Sequence, residues 1–470
     1  MRKTKIICTL GPATDDIEVL KNLAKAGMNV ARLNLSHGTH EEQLTRINAV
    51  KKVRSELGLP LAILLDTKGP EIRLGLFKNK YVNVFQGQKY TLTTNDILGD
   101  ENIVSVSYKD LPKHLEKGNR ILVDDGMIEL IVDNINETDI ECIVNNDGKL
   151  SNRKSINLPG IHLSMPYMNE NDRNDIIFGI KNEIDYIAAS FVRCKEDVLE
   201  IRKILDEYNN SHIKIISKIE NEEGVNNADE ILSVSNGLMV ARGDMGVEIS
   251  FEQLPKLQKI LIKKCYAAGK PAITATQMLD SMIHNPRPTR AEVTDVANAI
   301  YDGTSAIMLS GETAAGEYPV ECVKTMAKIA ESTENAINYD HRFLKETVKN
   351  NSITDALSHA ACTMAIDLNA KVIITVTNTG HTARMISKFR PKCPIIAPTV
   401  SEKNYNQMAL TWGVVPIMNN IAETEELLFR SAIERTVEAN LVEKDDIVVV
   451  TAGTPGTISG TANVLKVFTI

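Results

Sequence analysis

The sequence lacks the features that would place it outside a reducing, aqueous compartment. None of its seven cysteines (8, 142, 194, 265, 322, 362, 393) falls in a C-x-x-C pair. Their number is odd and their spacing scattered, so neither a disulfide framework nor a thiolate metal site is expected, and a cytoplasmic location is. The nine histidines form no H-E-x-x-H. No apolar run approaches the ~20 residues of a membrane span. The opening MRKTKIICTLGPA is basic, but its apolar run is short and broken by a threonine, so it reads as a first strand rather than a signal peptide. Positive charge is in deficit: 53 Lys and Arg against 61 Asp and Glu leave a net charge of −8. That argues against a general nucleic-acid or membrane-surface binder, and any site for an anionic substrate must gather its cations locally. There is no G-x-x-x-x-G-K-[ST], so a phosphate site would not be a Walker loop.

What is present is ordinary globular composition, 43 % hydrophobic and 24 % charged, over 470 residues. That length fits roughly two to four domains. Short, nearly continuous apolar runs recur at 5–10, 29–34, 61–66, 186–190, 214–218, 238–241, 271–275 and 306–310. Such runs suit parallel strands covered on both faces. Stretches between them, such as 16–26, 41–57 and 196–208, carry helical spacing. Eight β-α repeats predict a (β/α)8 barrel. A doubly wound open sheet is the alternative, since a sequence does not display closure.

Between 71 and 166 the rhythm changes to short alternating runs (81–84, 103–106, 120–123, 127–132) with turn residues between them. This predicts a small β domain inserted after the third strand, where barrel insertions commonly act as lids. A long helix over 320–338 and a mostly polar stretch over 339–352 precede a new α/β set, with strands at 372–376, 394–397, 414–418 and 447–451. The expected division is therefore a barrel from 1–70 and 167–340, a small β-barrel lid from 71–166, and a C-terminal α/β domain from 341–470.

Polar residues gather where barrel strands end, and barrel chemistry lives at those ends. The stretch VARGDMGVEIS, 240–250, ends an apolar run on Arg242 and Asp244 held between glycines. Alone it would be a surface turn. With Arg32 and Asn34 after strand two, Asp66 and Thr67 after strand three, Lys218 and Glu220 after strand five, and Thr276 after strand seven, it becomes part of a set. Lys218 and Glu220 are two apart and so point to one side of their strand. Glu220 and Asp244 would then converge and repel, which a hard cation resolves; Mg²⁺ typically takes one or two carboxylates. Arg32 and Lys218 become cations aimed at a phosphoryl group. Gly243 and Gly246 would let backbone N–H groups approach an anion. Further on, Thr377-Asn378-Thr379-Gly380-His-Thr382 and the glycine- and hydroxyl-rich 454–461, with Thr457 and Gly460, look like a phosphate cradle remote from the barrel.

At these residues the chain resembles the pyruvate kinase family over nearly its whole length. The matching stretches are TKIICTLGPAT, NVARLNLSHG, LLDTKGPEIR, NLPG, IISKIENEEG, MVARGDMGVEI, ATQMLDSM and the long NPRPTRAEVTDVANAIYDGTSAIMLSGETAAGEYPVE. The resemblance implies a barrel with an inserted lid, a C-terminal effector domain and a homotetramer. It implies phosphoryl transfer from phosphoenolpyruvate to ADP, giving ATP and pyruvate. By the same resemblance Glu220 and Asp244 hold Mg²⁺ (or Mn²⁺), and Lys218 and Arg32 contact the moving phosphoryl. Thr276, with the backbone of Gly243 and Asp244, holds the substrate carboxylate and lies near the face where the enolate is protonated. Asn34, Ser36, Asp66 and Thr67 match ligands of K⁺, and Glu71 matches the residue that goes with K⁺ dependence. Pro12, His37, Arg73 and Lys154 match nucleotide contacts.

Some bacterial members carry an extra domain after the LKV-type ending, whereas here the sequence ends at Ile470. The Trp-Arg-Pro-Gly pattern of animal enzymes regulated by fructose 1,6-bisphosphate is missing, so that sugar phosphate, ribose 5-phosphate and AMP all stay open as effectors. Two competing readings make different demands. A Mg²⁺-dependent barrel aldolase or lyase has no need of Lys218, the nucleotide residues or the insert. A metabolite-sensing scaffold predicts decay of Arg32, Lys218, Glu220, Asp244 and Thr276, all of which are present.

Overall fold

In the computed structural model, which describes residues 1–345, 352–453 and 462–470, the eight apolar runs become eight strands that close on themselves. They are Lys5–Thr9, Val30–Asn34, Ala62–Asp66, Tyr186–Ala189, Lys214–Ile219, Gly237–Ala241, Ala272–Ala275 and Ala306–Leu309. Every pairing is parallel, and the last strand rejoins the first through Lys5 opposite Ala306. Closure decides the fold in favour of the barrel over the open sheet. The runs are continuous because alternate residues face two different cores. Ile7, Val30, Leu64, Ile216, Met239 and Ile273 fill the interior. Ile6, Cys8, Ala31, Leu65 and Ile215 face the surrounding helices. Each fully buried Ile or Leu contributes about 1.5–3 kcal/mol relative to exposure. The helices start where the sequence supplies caps: Thr39 and Glu42 form a reciprocal capping box for His40–Leu57, and Thr289 and Glu292 do so for Arg290–Asp302.

The insert has its own core around Tyr90, Leu92, Val104, Leu130 and Ile140. Its main sheet has seven strands, with Ile72–Arg73 at one end of the order and Ile103–Ser105 at the other. Those two ends meet. Leu74 bridges Val106, Gly75 N–H donates to Ser105 O at 2.8 Å, and Ser107 N–H donates to Arg73 O at 2.9 Å. The sheet thus curls into a small barrel. Arg193 fixes the return crossing to the large barrel by donating to Leu163 O and Met165 O.

The C-terminal sheet has five strands, one more than the sequence pattern predicts. Val372–Thr375, Ile395–Thr399, Val414–Met418 and Ile447–Ala452 are parallel, and Val464–Thr469 adds antiparallel to the last. This edge strand escapes notice because its residues are intermediate or exposed, with Val467 41 % exposed. Part of the stretch read as polar is also helical, Tyr339–Lys345, with Tyr339 and Phe343 buried. The C-terminal domain stoppers the barrel floor: Ala409 and Leu410 join the interior cluster, and Tyr186 Oη donates to Gln407 O at 2.6 Å. Among the described residues no helix is long and apolar enough to cross a membrane.

Candidate active site

The opposite end of the barrel collects the polar strand ends. Asp66 is its hub, 1 % exposed. Its Oδ2 accepts Arg32 Nε at 2.6 Å, and its Oδ1 accepts Lys218 Nζ at 3.1 Å and Ser190 Oγ at 3.1 Å. Burial alone would favour the neutral acid, but Arg32 and Lys218 outweigh it and hold the carboxyl below its ordinary range. Lys218 is treated in kind. Burial opposes its charge, yet Asp66 and Glu220 overcome that and keep it firmly an ammonium.

Glu220 is buried, accepts the Phe191 N–H through Oε2 at 2.6 Å, and pairs through Oε1 with Lys218 Nζ at 2.9 Å. That Oε1 lies outside hydrogen-bonding geometry, so a buried carboxylate oxygen is only partly satisfied. Burial, helped by the charge of Asp244, pushes Glu220 up to about 7. An added cation would relieve both. No group of three or more His, Cys, Asp or Glu that could hold a metal is found among the described residues. Two carboxylates without such a cage fit an ion that completes its shell with water and substrate oxygens, as Mg²⁺ does, better than a four-ligand Zn²⁺ site.

Asp244 lies in the first turn of the helix Arg242–Glu248, directly after strand six. Gly243 N–H donates to Thr276 Oγ1 at 2.8 Å, joining strands six and seven at the mouth. The expectation for Gly246 does not hold. It lies inside the helix, where an added Cβ would come within 3.1 Å of Leu254 Cδ1. Its small size serves helix packing, not a bared N–H. At the other end of the helix Glu248 accepts from Asn157 Nδ2 and Leu158 N–H, where the chain leaves the insert.

The remaining expected residues fall into separate groups. Asn34 sits opposite Asp66 in the strand register, Ser36 N–H donates to Asn34 Oδ1 at 3.0 Å, and Thr67 Oγ1 donates to Ala188 O. Asn34 and Thr67 thus flank Asp66 in register and in sequence, and Asp66 is already engaged by three protein groups. The turn that follows Thr67 is fitted closely: Gly69, at φ +71°, lies where a Cβ would be 2.9 Å from Ser190 O. Pro12 and His37 are exposed on barrel loops. Arg73 and Lys154 belong to the insert, Arg73 paired with Glu71 at 2.7 Å and Lys154 with Asp124 at 2.8 Å. A cavity of about 400 Å³ separates insert from barrel. Its lining includes Glu71, Phe191, Asp244 and Glu248, but not Arg32, Lys218 or Thr276.

In the C-terminal domain, 377–382 leads from a strand into the helix His381–Lys388, with Gly380 at φ +70° as its cap. Thr377 and Thr382 are buried, and Thr379 O accepts Arg384 Nη1. Thr457 and Gly460, with the rest of 454–461, lie outside the described residues.

Two residues were missed by reading the sequence. The single hydroxyl proton of Ser190 is shared between Thr67 O at 2.7 Å and Asp66 Oδ1 at 3.1 Å, while Oγ receives Lys218 Nζ at 2.7 Å, completing the shell of the lysine. Phe191, at φ +53°, donates its N–H to Glu220. The signal was the Ser-Phe that follows strand four, one of the strand ends left without polar candidates.

Comparison with known proteins gives a consistent answer. The family model described as pyruvate kinase, barrel domain, matches residues 1–323, and that described as pyruvate kinase, alpha/beta domain, matches 355–468. A pyruvate kinase of Clostridium acetobutylicum is 53 % identical over 470 residues, covering 99 % of each chain. One from Sporosarcina psychrophila is 50 % identical over 473 residues, covering 100 % of this chain and 81 % of that one. A crystal structure of a pyruvate kinase from Cryptosporidium parvum superposes with a TM-score of 0.94 at 40 % identity, over 100 % of this chain and 96 % of the other.

Proposed function

The chain belongs to the pyruvate kinase family and is a phosphotransferase, and on that premise we propose that it moves the phosphoryl group of phosphoenolpyruvate to ADP. The observation that carries this reading is the pair of buried cations, Arg32 and Lys218, fixed on one carboxylate beside Glu220 at the barrel mouth. Two polyanions must meet, so positioning and charge neutralisation do most of the work.

Arg32 and Lys218 face the phosphoryl group and offset its charge as it leaves the enol oxygen for the terminal phosphate oxygen of ADP. Asp66 holds both cations in place and helps keep Lys218 charged, so no side chain reorganises during transfer. Thr276 and the backbone of Gly243 and Asp244 hold the substrate carboxylate, the Gly243 N–H exchanging its bond to Thr276 Oγ1 for one to substrate. The enolate then takes a proton at its methylene carbon through water near Thr276, giving pyruvate. Glu220 and Asp244 would hold Mg²⁺ (or Mn²⁺), which when bound stabilises charge on phosphoryl and enolate oxygens. Asn34, Ser36, Asp66 and Thr67 would hold K⁺, with Glu71 setting that requirement. Pro12 and His37 on the barrel and Arg73 and Lys154 on the insert contact the nucleotide, which the 71–166 lid covers.

The same reading divides the chain into a barrel (1–70 and 167–340), that lid and a C-terminal effector domain (341–470). It places a sugar phosphate or AMP at Thr377, Asn378, Thr379, Gly380 and Thr382, together with Thr457 and Gly460, in a cytoplasmic homotetramer. The test is pyruvate formation from phosphoenolpyruvate and ADP with Mg²⁺, with and without K⁺. Turnover that collapses when a large organic cation replaces K⁺ is the expected result. Absence of turnover, even with sugar phosphates and AMP added, overturns the reading.

A further inference from the structure

Thr276 is β-branched and sits at φ +69°, and Gln277 follows at φ +52°. Left-handed backbone is disfavoured for any residue with a Cβ and most of all for a β-branched one. Such a residue persists only where its surroundings hold it. Two in succession, at the end of strand seven, need a specific restraint.

One guanidinium supplies it. Arg242 Nε donates to Ala275 O at 3.2 Å, and Nη2 donates to Thr276 O at 2.7 Å. The far edge is anchored outward: Nη1 donates to Asp295 Oδ1 at 2.7 Å and reaches Gln258 Oε1 at 3.4 Å. Asp295 lies on the helix Arg290–Asp302, outside the barrel strands. The residue after Arg242 then closes the loop, Gly243 N–H to Thr276 Oγ1 at 2.8 Å. We infer that Arg242 is a positioning residue that clamps the strained 275–277 backbone, and so presents the Thr276 hydroxyl and the Gly243 amide to the substrate carboxylate. Asp295 sets the plane of the clamp from outside. Lysine cannot replace the arginine, because one ammonium does not span two carbonyls and a carboxylate in a fixed plane. The clamp rests on the geometry alone; only the identity of what it serves rests on the proposed function.

The test uses Arg242→Gln, Arg242→Lys, Asp295→Asn, Gln277→Gly and the Arg242→Gln/Gln277→Gly double variant of the full chain. Without the clamp, KM for phosphoenolpyruvate should rise by about tenfold or more and kcat should fall, with KM for ADP within about twofold. Arg242→Lys should behave like Arg242→Gln. Gln277 is exposed, and glycine there adopts positive φ freely, so Gln277→Gly should restore about threefold or more of kcat/KM in the Arg242→Gln background and change the wild type by less than about twofold. Asp295→Asn should give a smaller loss confined to phosphoenolpyruvate, and it carries the kinetic test if the arginine variants do not fold. Equal losses toward both substrates, or KM for phosphoenolpyruvate unchanged, overturn the inference. A crystal structure of Arg242→Gln decides the clamp without any assay. Thr276 leaving the left-handed region supports it, and Thr276 staying there refutes it, even if the wild type turns over no phosphoenolpyruvate.

Discussion

Asp66 and Lys218 lie on strands three and five of the barrel, yet their charged atoms meet at 3.1 Å while the other oxygen of the same carboxylate holds Arg32. One buried anion thereby organises both cations aimed at the phosphoryl group.

Asp66→Asn should therefore act on two cations at once. Removing one partner of a buried pair costs about 3–5 kcal/mol. The variant should lose roughly that much unfolding free energy, read by chemical denaturation, and show a large loss of kcat in a coupled assay. Wild-type stability in the variant would mean that Arg32 and Lys218 do not depend on this carboxylate.

Lys218→Met should cripple phosphoryl transfer by about 10²-fold or more. Exchange of the methyl protons of bound pyruvate with solvent, followed by NMR, should suffer much less. An equal fall in both rates would show that the lysine does not act on the phosphoryl group.

Glu71→Lys should relax the K⁺ requirement. The change also breaks the 2.7 Å pair with Arg73. Turnover without K⁺ should rise relative to turnover with it. K⁺ activation as steep as in the wild type would count against the assignment.

Asp185, at the barrel floor, gives a pH prediction. Burial pushes it up to about 7, against an N–H from Ile63 at 2.8 Å that pulls the other way. The unfolded carboxyl releases its proton near about 3.9. Between those values the folded chain binds the proton more, so this group's contribution to stability is lost as pH rises from about 4 through 7. The melting temperature of the wild type should fall between pH 5 and 8 by more than that of Asp185→Asn, which keeps an acceptor for the Ile63 N–H. Parallel profiles would assign the pH dependence elsewhere.

The barrel was legible because its strands are covered on both faces, which turns them into unbroken apolar runs such as KIICT and AILLD. The insert was harder. Strands such as Lys89–Thr93, KYTLT, carry polar residues on one face and little apolar signal. The polar strand ends were readable as a set, but their pairings were not. Asp66 bonds residues 34 and 152 positions away, and Arg242 clamps a carbonyl 34 positions on. Only the side-by-side pairing of parallel strands brings such residues together, so Asp66 was legible as an oxygen donor but not as the hub, and Arg242 not as a clamp.

The curled insert has one more effect. A flat sheet projecting from an enzyme presents two rows of unpaired amides and carbonyls, ready to recruit a strand from a neighbouring molecule. Here the first and last strands of the seven meet at Leu74 and Val106. At whatever angle the insert stands to the barrel, its main sheet offers few open ladders, and a crowded solution of the protein is protected from strand-to-strand association there.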